Sequence, residues 1–471
     1  MPGINQDHAV VIAGGGPAGL MLAAELALAD VDVAIIERRP GPELVGSRAG
    51  GFHSRTLEIL DMRGVADRFL AAGDTVQVAM FASTLLDMSD FPTRHPYSLG
   101  LFQNRIQMIL AEWVEELGVP VRYGQEVTGF RQDDSGVEVQ LAGGRINAQY
   151  LVGCDGGRSL IRKQAGIEFP GWEATRSTLI AEVELTEENA KGVKHDDAGA
   201  HGQHLMDDGK TVRIVTSEKE LHQGEPTLDD LRAALTRAYG KDFGVHNPTW
   251  LSRFTDTTRQ AAQYRNNRVF LAGDSAHIHY PAGGQGIGLG VQDAVNLGWK
   301  LAEVVKGTSP ESLLDSYQSE RHPVTARVLK HTMAQAVVQR SDDRIDALRD
   351  TVGELLALDG PRKHIAGLIS GLDVRYDLGD GHPLVGRRMP DLDLTIDDRP
   401  VRLFELLRQP HWLAIDFAGS GELDRADVIN ASYDGDWELP VIGPVPAPRA
   451  ILIRPDGHVA EALAQEDSNA S

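Results

Sequence analysis

Apolar residues gather along this chain in three short runs, each of which stops at glycine or aspartate. Ala9-Val-Val-Ile-Ala13 gives way to Gly14-Gly-Gly16-Pro17-Ala18-Gly19 and then to helix formers from Leu20 to Ala29. A second strand, Val31 to Ile36, ends at Glu37. The next run, Ala148 to Cys154, meets Asp155-Gly-Gly-Arg158-Ser159 and continues as Leu160-Ile-Arg162, the same order of strand, turn and helix. The third, Val269 to Ala272, stops at Gly273-Asp274. A turn with Pro281, Gly283, Gly284, Gln285, Gly286, Gly288 and Gly290 follows. Val291, Ala294, Val295, Leu297 and Leu301 then recur at helical spacing, so a helix is predicted from near Gly290.

Other patterns fill the intervals. A helix around Asn104–Leu117 carries Gln103 and Gln107, and Val121–Leu141 alternates as an antiparallel hairpin with an Asp-Ser-Gly turn. Thr178–Leu185 and Thr211–Thr216 alternate, Leu228–Tyr239 is helical, and Trp250–Thr257 is a last strand. These predict a mixed-sheet domain inserted between the second and third runs. Leu313–Leu355 is rich in helix formers, with Pro323 near a helix start or kink. The breaks at Gly360-Pro361 and Gly379–Pro383 predict a linker. Beyond Pro390, strands at Trp412–Phe417 and Ala450–Ile453 and the turn Arg454-Pro-Asp-Gly457 define a third unit.

Composition narrows the function. With 471 residues, 42% of them hydrophobic, the chain can bury a large core in two or three domains. Its 46 basic residues against 68 acidic ones give a net charge of −22, which argues against nucleic acid or an anionic membrane as partner. Cys154 is the one cysteine, so no internal disulfide forms and the count argues against a cysteine-ligated zinc. Met1–His8 is polar, unlike a signal peptide, and no apolar run approaches the ~18–20 residues of a membrane span. A soluble, cytoplasmic protein is expected.

The glycines then acquire a chemistry. Gly14, Gly16 and Gly19 lie between a strand and a helix, with Glu37 about 20 residues on. That arrangement gives a tight turn, a close approach to a pyrophosphate, helix–strand packing and an acceptor for a ribose hydroxyl. Arg48 either offers its guanidinium fork to the same phosphates or makes surface ion pairs, and its chemistry leaves both open. His277 and His279 form a His-x-His pair without a third ligand in view, so no metal is expected.

Together these stretches resemble the class A flavoprotein monooxygenases, the aromatic hydroxylases of the para-hydroxybenzoate hydroxylase fold. The resemblance implies an α/β architecture: a Rossmann-like (GR2-type) FAD-binding domain, an inserted mixed-sheet substrate domain and a thioredoxin-like C-terminal domain. Their spans would be 1–170 and 261–385, 171–260 (drawing also on about 75–105), and 386–471. It places Gly14, Gly16, Pro17, Ala18, Gly19, Glu37 and Arg38 at the ADP end of FAD, with Arg48 and Gln103 as further contacts. Asp155-Gly-Gly-Arg158-Ser159 with Arg162 looks like the motif tied to both FAD and NAD(P)H. Asp274, Pro281, Gly284, Gln285, Gly286 and Ile287 look like the flavin end. Gly288 departs from the Asn of many relatives, and Tyr317, Glu320, Arg321 and Pro323 resemble a further helix signature.

In that family NAD(P)H reduces FAD, O2 adds, and a flavin C4a-hydroperoxide hydroxylates an electron-rich ring, so no catalytic side-chain set is assigned. Length and the Gly-Gly-Gln-Gly turn resemble the hydroxylases of aromatic polyketides of anthracycline, angucycline or tetracycline type. Antibiotic inactivation, hydroxylation of a small phenol, and a non-catalytic flavin-binding interaction protein are the alternatives. The tail has no cysteine for dithiol chemistry, which leaves packing or homodimer contacts. Phe81, Trp172, Leu205 and Met206 either line the substrate pocket or are ordinary core.

Overall fold

The computed structural model describes residues 7–206, 208–419, 421, 423 and 427–464. Its main sheet is parallel at the centre, in the order Val269–Leu271, Gly144–Gly153, His8–Ala13, Val33–Glu37, Val121–Tyr123. All residues of Val33–Glu37 are buried, as are the last four of His8–Ala13, because helices cover the sheet. The predicted hairpin, Val127–Gln132 with Val137–Leu141, extends the sheet through an antiparallel pairing onto Gly144–Gly153.

Register decides where function can sit. Ala13 pairs with Ile36 on one side and Gly153 on the other, and Gly153 pairs with Leu271. The three glycine or aspartate turns therefore leave neighbouring strands at the same carboxyl edge, where open α/β sheets bind ligands.

The inserted unit is a five-stranded sheet, ordered Val193–His195, Ala200–Leu205, Val212–Ser217, Ser177–Glu184, His246–Thr255. It is antiparallel throughout rather than mixed. The helix Leu228–Tyr239 joins two strands that run the same way, but Ser177–Glu184 lies between them, so no parallel pair forms.

Three expectations about helices change. The glycine-rich helix starts at Gly286, not near Gly290, and runs to Lys306. Of the two places left open for Pro323, a helix start or a kink, the start is ruled out, because Pro323 lies inside the helix Asp315–Val338. Gly360-Pro361 is no linker: both sit in the first turn of Asp359–Ser370, where proline's missing N–H has no partner to lose.

The C-terminal unit is built on Val428–Asn430, Leu413–Asp416, Pro448–Ile453 and Val459–Ala464, one parallel pair followed by antiparallel neighbours. Its Arg454–Gly457 turn plugs into the first unit. Arg454, 3% exposed, donates two hydrogen bonds of 2.8 Å to Glu320, which also accepts from Lys300 at 2.8 Å and Asn296 at 2.6 Å. Burial works against ionisation of Glu320, yet the hydrogen bond from Arg454 and the charge of Lys300 hold its carboxyl down at about 2, from the usual 4.5. A carboxyl with a depressed folded-state pKa stabilises fully above 4.5, and that contribution fades as pH falls to about 2. In acid melts, the wild-type unfolding temperature should drop more steeply across that window than that of Glu320→Gln; equal slopes would contradict this.

Among the described residues, no helix is long and apolar enough to cross a membrane.

Candidate FAD site

The first turn shows why each glycine stands where it does. Gly14 has φ +110°, and a Cβ added there would lie 2.3 Å from the Cys154 carbonyl oxygen. A Cβ at Gly19 would lie 2.1 Å from the Gly14 carbonyl oxygen. A Cβ at Gly16 would meet no described atom within 4 Å. Gly16 is also the N-cap of Pro17–Leu28, Pro17 opens that helix, and no side chain caps it. Two glycines serve the fold; the third keeps a bare helix N-terminus accessible to an anion.

Glu37 fixes the shape of this turn. Its carboxylate accepts from the Gly15 N–H at 2.7 Å and the Arg39 N–H at 2.8 Å. Burial opposes its charge, but the Arg39 and Gly15 donors keep its pKa below the usual value. The Gly15 carbonyl accepts from Arg39 at 2.9 Å and Gln107 Nε2 at 2.6 Å. Arg38, named from the sequence, is exposed; Arg39 makes these contacts. Strand alternation could have found it, since residues 37 and 39 face the same way.

At the second turn, Asp155 Oδ2 accepts from the N–H groups of Leu160 and Ile161 at 2.7 and 3.1 Å. Arg162 donates to Ser275 O at 2.7 Å and to Gly157 O at 2.9 Å, stapling the second turn to the third. In the third turn, Asp274 is exposed within the tight turn Gly273–Ser275. Ser275 Oγ anchors the turn by donating to the Gly153 carbonyl.

The later glycines pack helices. A Cβ on Gly290 would lie 3.2 Å from the Ala18 Cβ and 3.4 Å from the Gly273 Cα, so Gly286–Lys306 sits tightly against Pro17–Leu28. At Gly288 a Cβ would lie 2.8 Å from Thr56 Oγ1, leaving no room for a side chain without a shift. Gly283 and Gly284 have φ +80° and +67°, and His53 Nε2 lies 2.5 Å from the Gly283 carbonyl oxygen. Gln285 Nε2 donates to Leu368 O and Ile369 O. Pro281 and Gly284 are exposed, and Gly286 and Ile287 half-buried, on this loop. Sequence reasoning missed His53, because its partner is 230 residues away.

Arg48 is exposed and donates to Ser252 Oγ at 3.1 Å, while Gln103 Oε1 accepts from the Arg48 and Ala49 N–H groups at 3.4 Å. Arg213 of the inserted sheet donates to the Arg48 carbonyl at 3.0 Å. His277 pairs with Asp293 at 2.6 Å, and His279 Nδ1 lies 2.7 Å from Tyr280 O. Of the four substrate candidates, Phe81 packs into an apolar cluster and against His331. Trp172 and Leu205 are 54% and 47% exposed, and Met206 closes a hairpin with Thr211.

FAD suits these residues. The uncapped helix start accepts a diphosphate, and two buried oxygens near the turns, Gln107 Oε1 and Asp155 Oδ1, have no protein hydrogen-bond donor and suit hydroxyl-rich ligand groups.

Comparison with known proteins agrees. Residues 7–332 match the family described as FAD binding domain, and residues 382–471 match aromatic-ring hydroxylase, C-terminal. The chain is 43% identical over 465 residues to a rifampicin monooxygenase of Streptomyces venezuelae, covering 96% of this chain and 94% of that one. It is 41% identical to a 12-dehydrotetracycline 5-monooxygenase/anhydrotetracycline 6-monooxygenase of Streptomyces rimosus, covering 97% and 95% of the two chains. The solved anhydrotetracycline hydroxylase OxyS of Streptomyces rimosus superposes with a TM-score of 0.90 at 41% identity, covering 98% and 97%. The fold and site therefore define a flavoprotein oxygenase. The chain belongs to the FAD-dependent aromatic-ring hydroxylases, and it is a monooxygenase of that family.

Proposed function

We propose that this monooxygenase hydroxylates a multi-ring aromatic polyketide, using O2 and NAD(P)H. The observation that carries this reading is the near-complete coverage by relatives named for rifampicin and anhydrotetracycline. Bound FAD would supply the redox chemistry, taking a hydride from NAD(P)H and passing one oxygen atom of O2 to the ring.

The chain's own residues bind and orient. The Gly16–Gly19 helix start and Arg48 would hold the diphosphate, Glu37 fixes the turn that would receive the ribose, and Asp155 Oδ1 and Asp274 would accept hydroxyls. His53 fixes the Gly283 carbonyl of the loop that would line the flavin ring. Dependence on NAD(P)H argues for work in the cytoplasm.

With purified holoenzyme, NADPH oxidation should accelerate when anhydrotetracycline or a related polyketide is added, and the product should gain one oxygen atom by mass. Oxidation that ignores every polyketide tested, or that yields only peroxide, would overturn the proposal. The rifampicin relative supports a second reading, oxidative inactivation of a finished antibiotic. Turnover of rifampicin but not of anhydrotetracycline would select it.

A further inference from the structure

The helix signature Tyr317, Glu320, Arg321 has no part in the cofactor contacts proposed above. Its three side chains nonetheless reach three different parts of the molecule. Tyr317 donates to the Leu271 carbonyl at 2.8 Å, at the end of the strand that feeds the Gly273–Asp274 turn. Arg321, fully buried, donates from Nε to Asp293 Oδ1 at 2.8 Å. Asp293 Oδ2 in turn accepts from the Gly273 N–H at 3.1 Å and from His277 Nε2 at 2.6 Å. The turn carrying Asp274 is thus gripped at both flanks by one carboxylate, and that carboxylate is aimed by Arg321.

Glu320, the neighbouring residue, faces the C-terminal unit. It receives both arms of Arg454, and Arg454 also bonds Asp456 Oδ2 at 2.6 Å. Tyr376 OH lies 3.3 Å from Arg321 Nη1, and its ring lies 4.3 Å from that of His458. The 454–458 segment therefore reaches Arg321 by two routes: Arg454 grips Glu320, the preceding residue of the same helix, and its guanidinium lies 5.4 Å from the Tyr376 ring, whose hydroxyl meets Arg321. From Arg321 the contacts continue to Asp293 and the Gly273–His277 turn.

Stability alone is a poor reason for this arrangement. Lys300, Arg321 and Arg454 face Asp293, Glu320 and Asp456, three cations against three anions, all buried. Well-packed apolar side chains of the same volume would often be as stable, because burying ions cancels most of their attraction. Charge-assisted hydrogen bonds do fix geometry, and the geometry fixed here is that of the turn presenting Asp274.

We propose that Arg321, acting through Asp293, is a positioning residue for the flavin-side turn, and that the Arg454–Gly457 turn of the C-terminal unit holds Arg321 in place. The C-terminal unit would then serve flavin binding from a distance. This inference rests on the reading that Asp274 contacts FAD.

A double-mutant cycle on the full chain tests it. Flavin is removed, and FAD is titrated back into wild type, Arg321→Lys, Arg454→Lys, Asp274→Ala and the two doubles. Asp274→Ala should weaken FAD binding, and each lysine variant should weaken it about ten-fold, the size of one degraded charge-assisted hydrogen bond. In the Asp274→Ala background the lysine variants should have less than about a two-fold further effect, because the contact they position is gone. The same factor in both backgrounds would mean that the pair merely stabilises the fold and would overturn the proposal. So would unchanged affinity in both lysine variants beside a weakened Asp274→Ala. Unchanged affinity in Asp274→Ala itself would remove the site reading and the inference with it. Should either lysine variant fail to fold, Glu320→Gln, nearly isosteric, enters the same cycle.

Discussion

Gly16→Ala should yield a folded protein that no longer retains FAD, while Gly19→Ala should not fold at all. The two glycines are three residues apart, and the contrast comes from what surrounds them. A methyl at Gly16 meets no described atom within 4 Å, and its φ of −78° suits alanine. Loss of a glycine N-cap costs the apo-protein about 1 kcal/mol or less. The same methyl would stand over the uncapped helix start, where a diphosphate must approach the backbone. FAD affinity should fall by at least ~100-fold, about 2.7 kcal/mol. At Gly19 the methyl would sit 2.1 Å from a backbone oxygen that cannot move without breaking the strand-to-helix turn. That penalty exceeds the ~1–3 kcal/mol of ordinary overpacking. Thermal melts of apo-protein and FAD titration separate the two variants. A Gly16→Ala protein that keeps its yellow colour through gel filtration would remove the assignment of this turn.

Arg63→Met should cost the fold about 3–5 kcal/mol without touching any proposed cofactor contact. Arg63 and Glu25 are both fully buried side chains, joined at 2.7 and 2.8 Å. Arg63 also donates to the carbonyls of Leu407 and Pro455 in the C-terminal unit. Methionine fills the space of the stem but leaves a carboxylate unpaired in the core and two carbonyls without a donor. Chemical denaturation should show the loss, and Arg63→Met with Glu25→Met should recover much of it, because no lone charge remains. A single variant within about 1 kcal/mol of wild type would mean that water reaches Glu25.

The fold and the family were legible because both depend on local pattern. Gly14–Gly19 with Glu37, Asp155–Ser159 and Gly273–Asp274 each lie beside a strand that their own neighbours specify. What escaped was set by residues far apart in the chain. His53 reaches across 230 residues to Gly283. Gly288 faces Thr56 of another helix, whose hydroxyl would have to turn aside for any side chain there. Gly286 and Gly290 read as loop because glycine is a poor helix former, yet both are helical, and the close approach of Ala18 leaves little room for a side chain at Gly290. Trp172 and Leu205 stand out in the sequence as apolar residues, which does not say that they are about half exposed.

The plug formed by the Arg454–Gly457 turn also has a consequence for synthesis. During translation, Glu320 and Arg63 leave the ribosome well before Arg454 and Pro455, their partners in the finished protein. Arg454 follows Glu320 by 134 residues, which take on the order of ten seconds to make at roughly 5–20 residues per second. Through that interval Glu320 has Lys300 and Arg63 has Glu25, but Glu320 lacks both arms of Arg454 and Arg63 lacks the Leu407 and Pro455 carbonyls, so the nascent first unit is held less tightly than in the finished protein. The flavin turn is then among the last parts of the molecule to set, so cofactor capture should follow chain completion rather than accompany it.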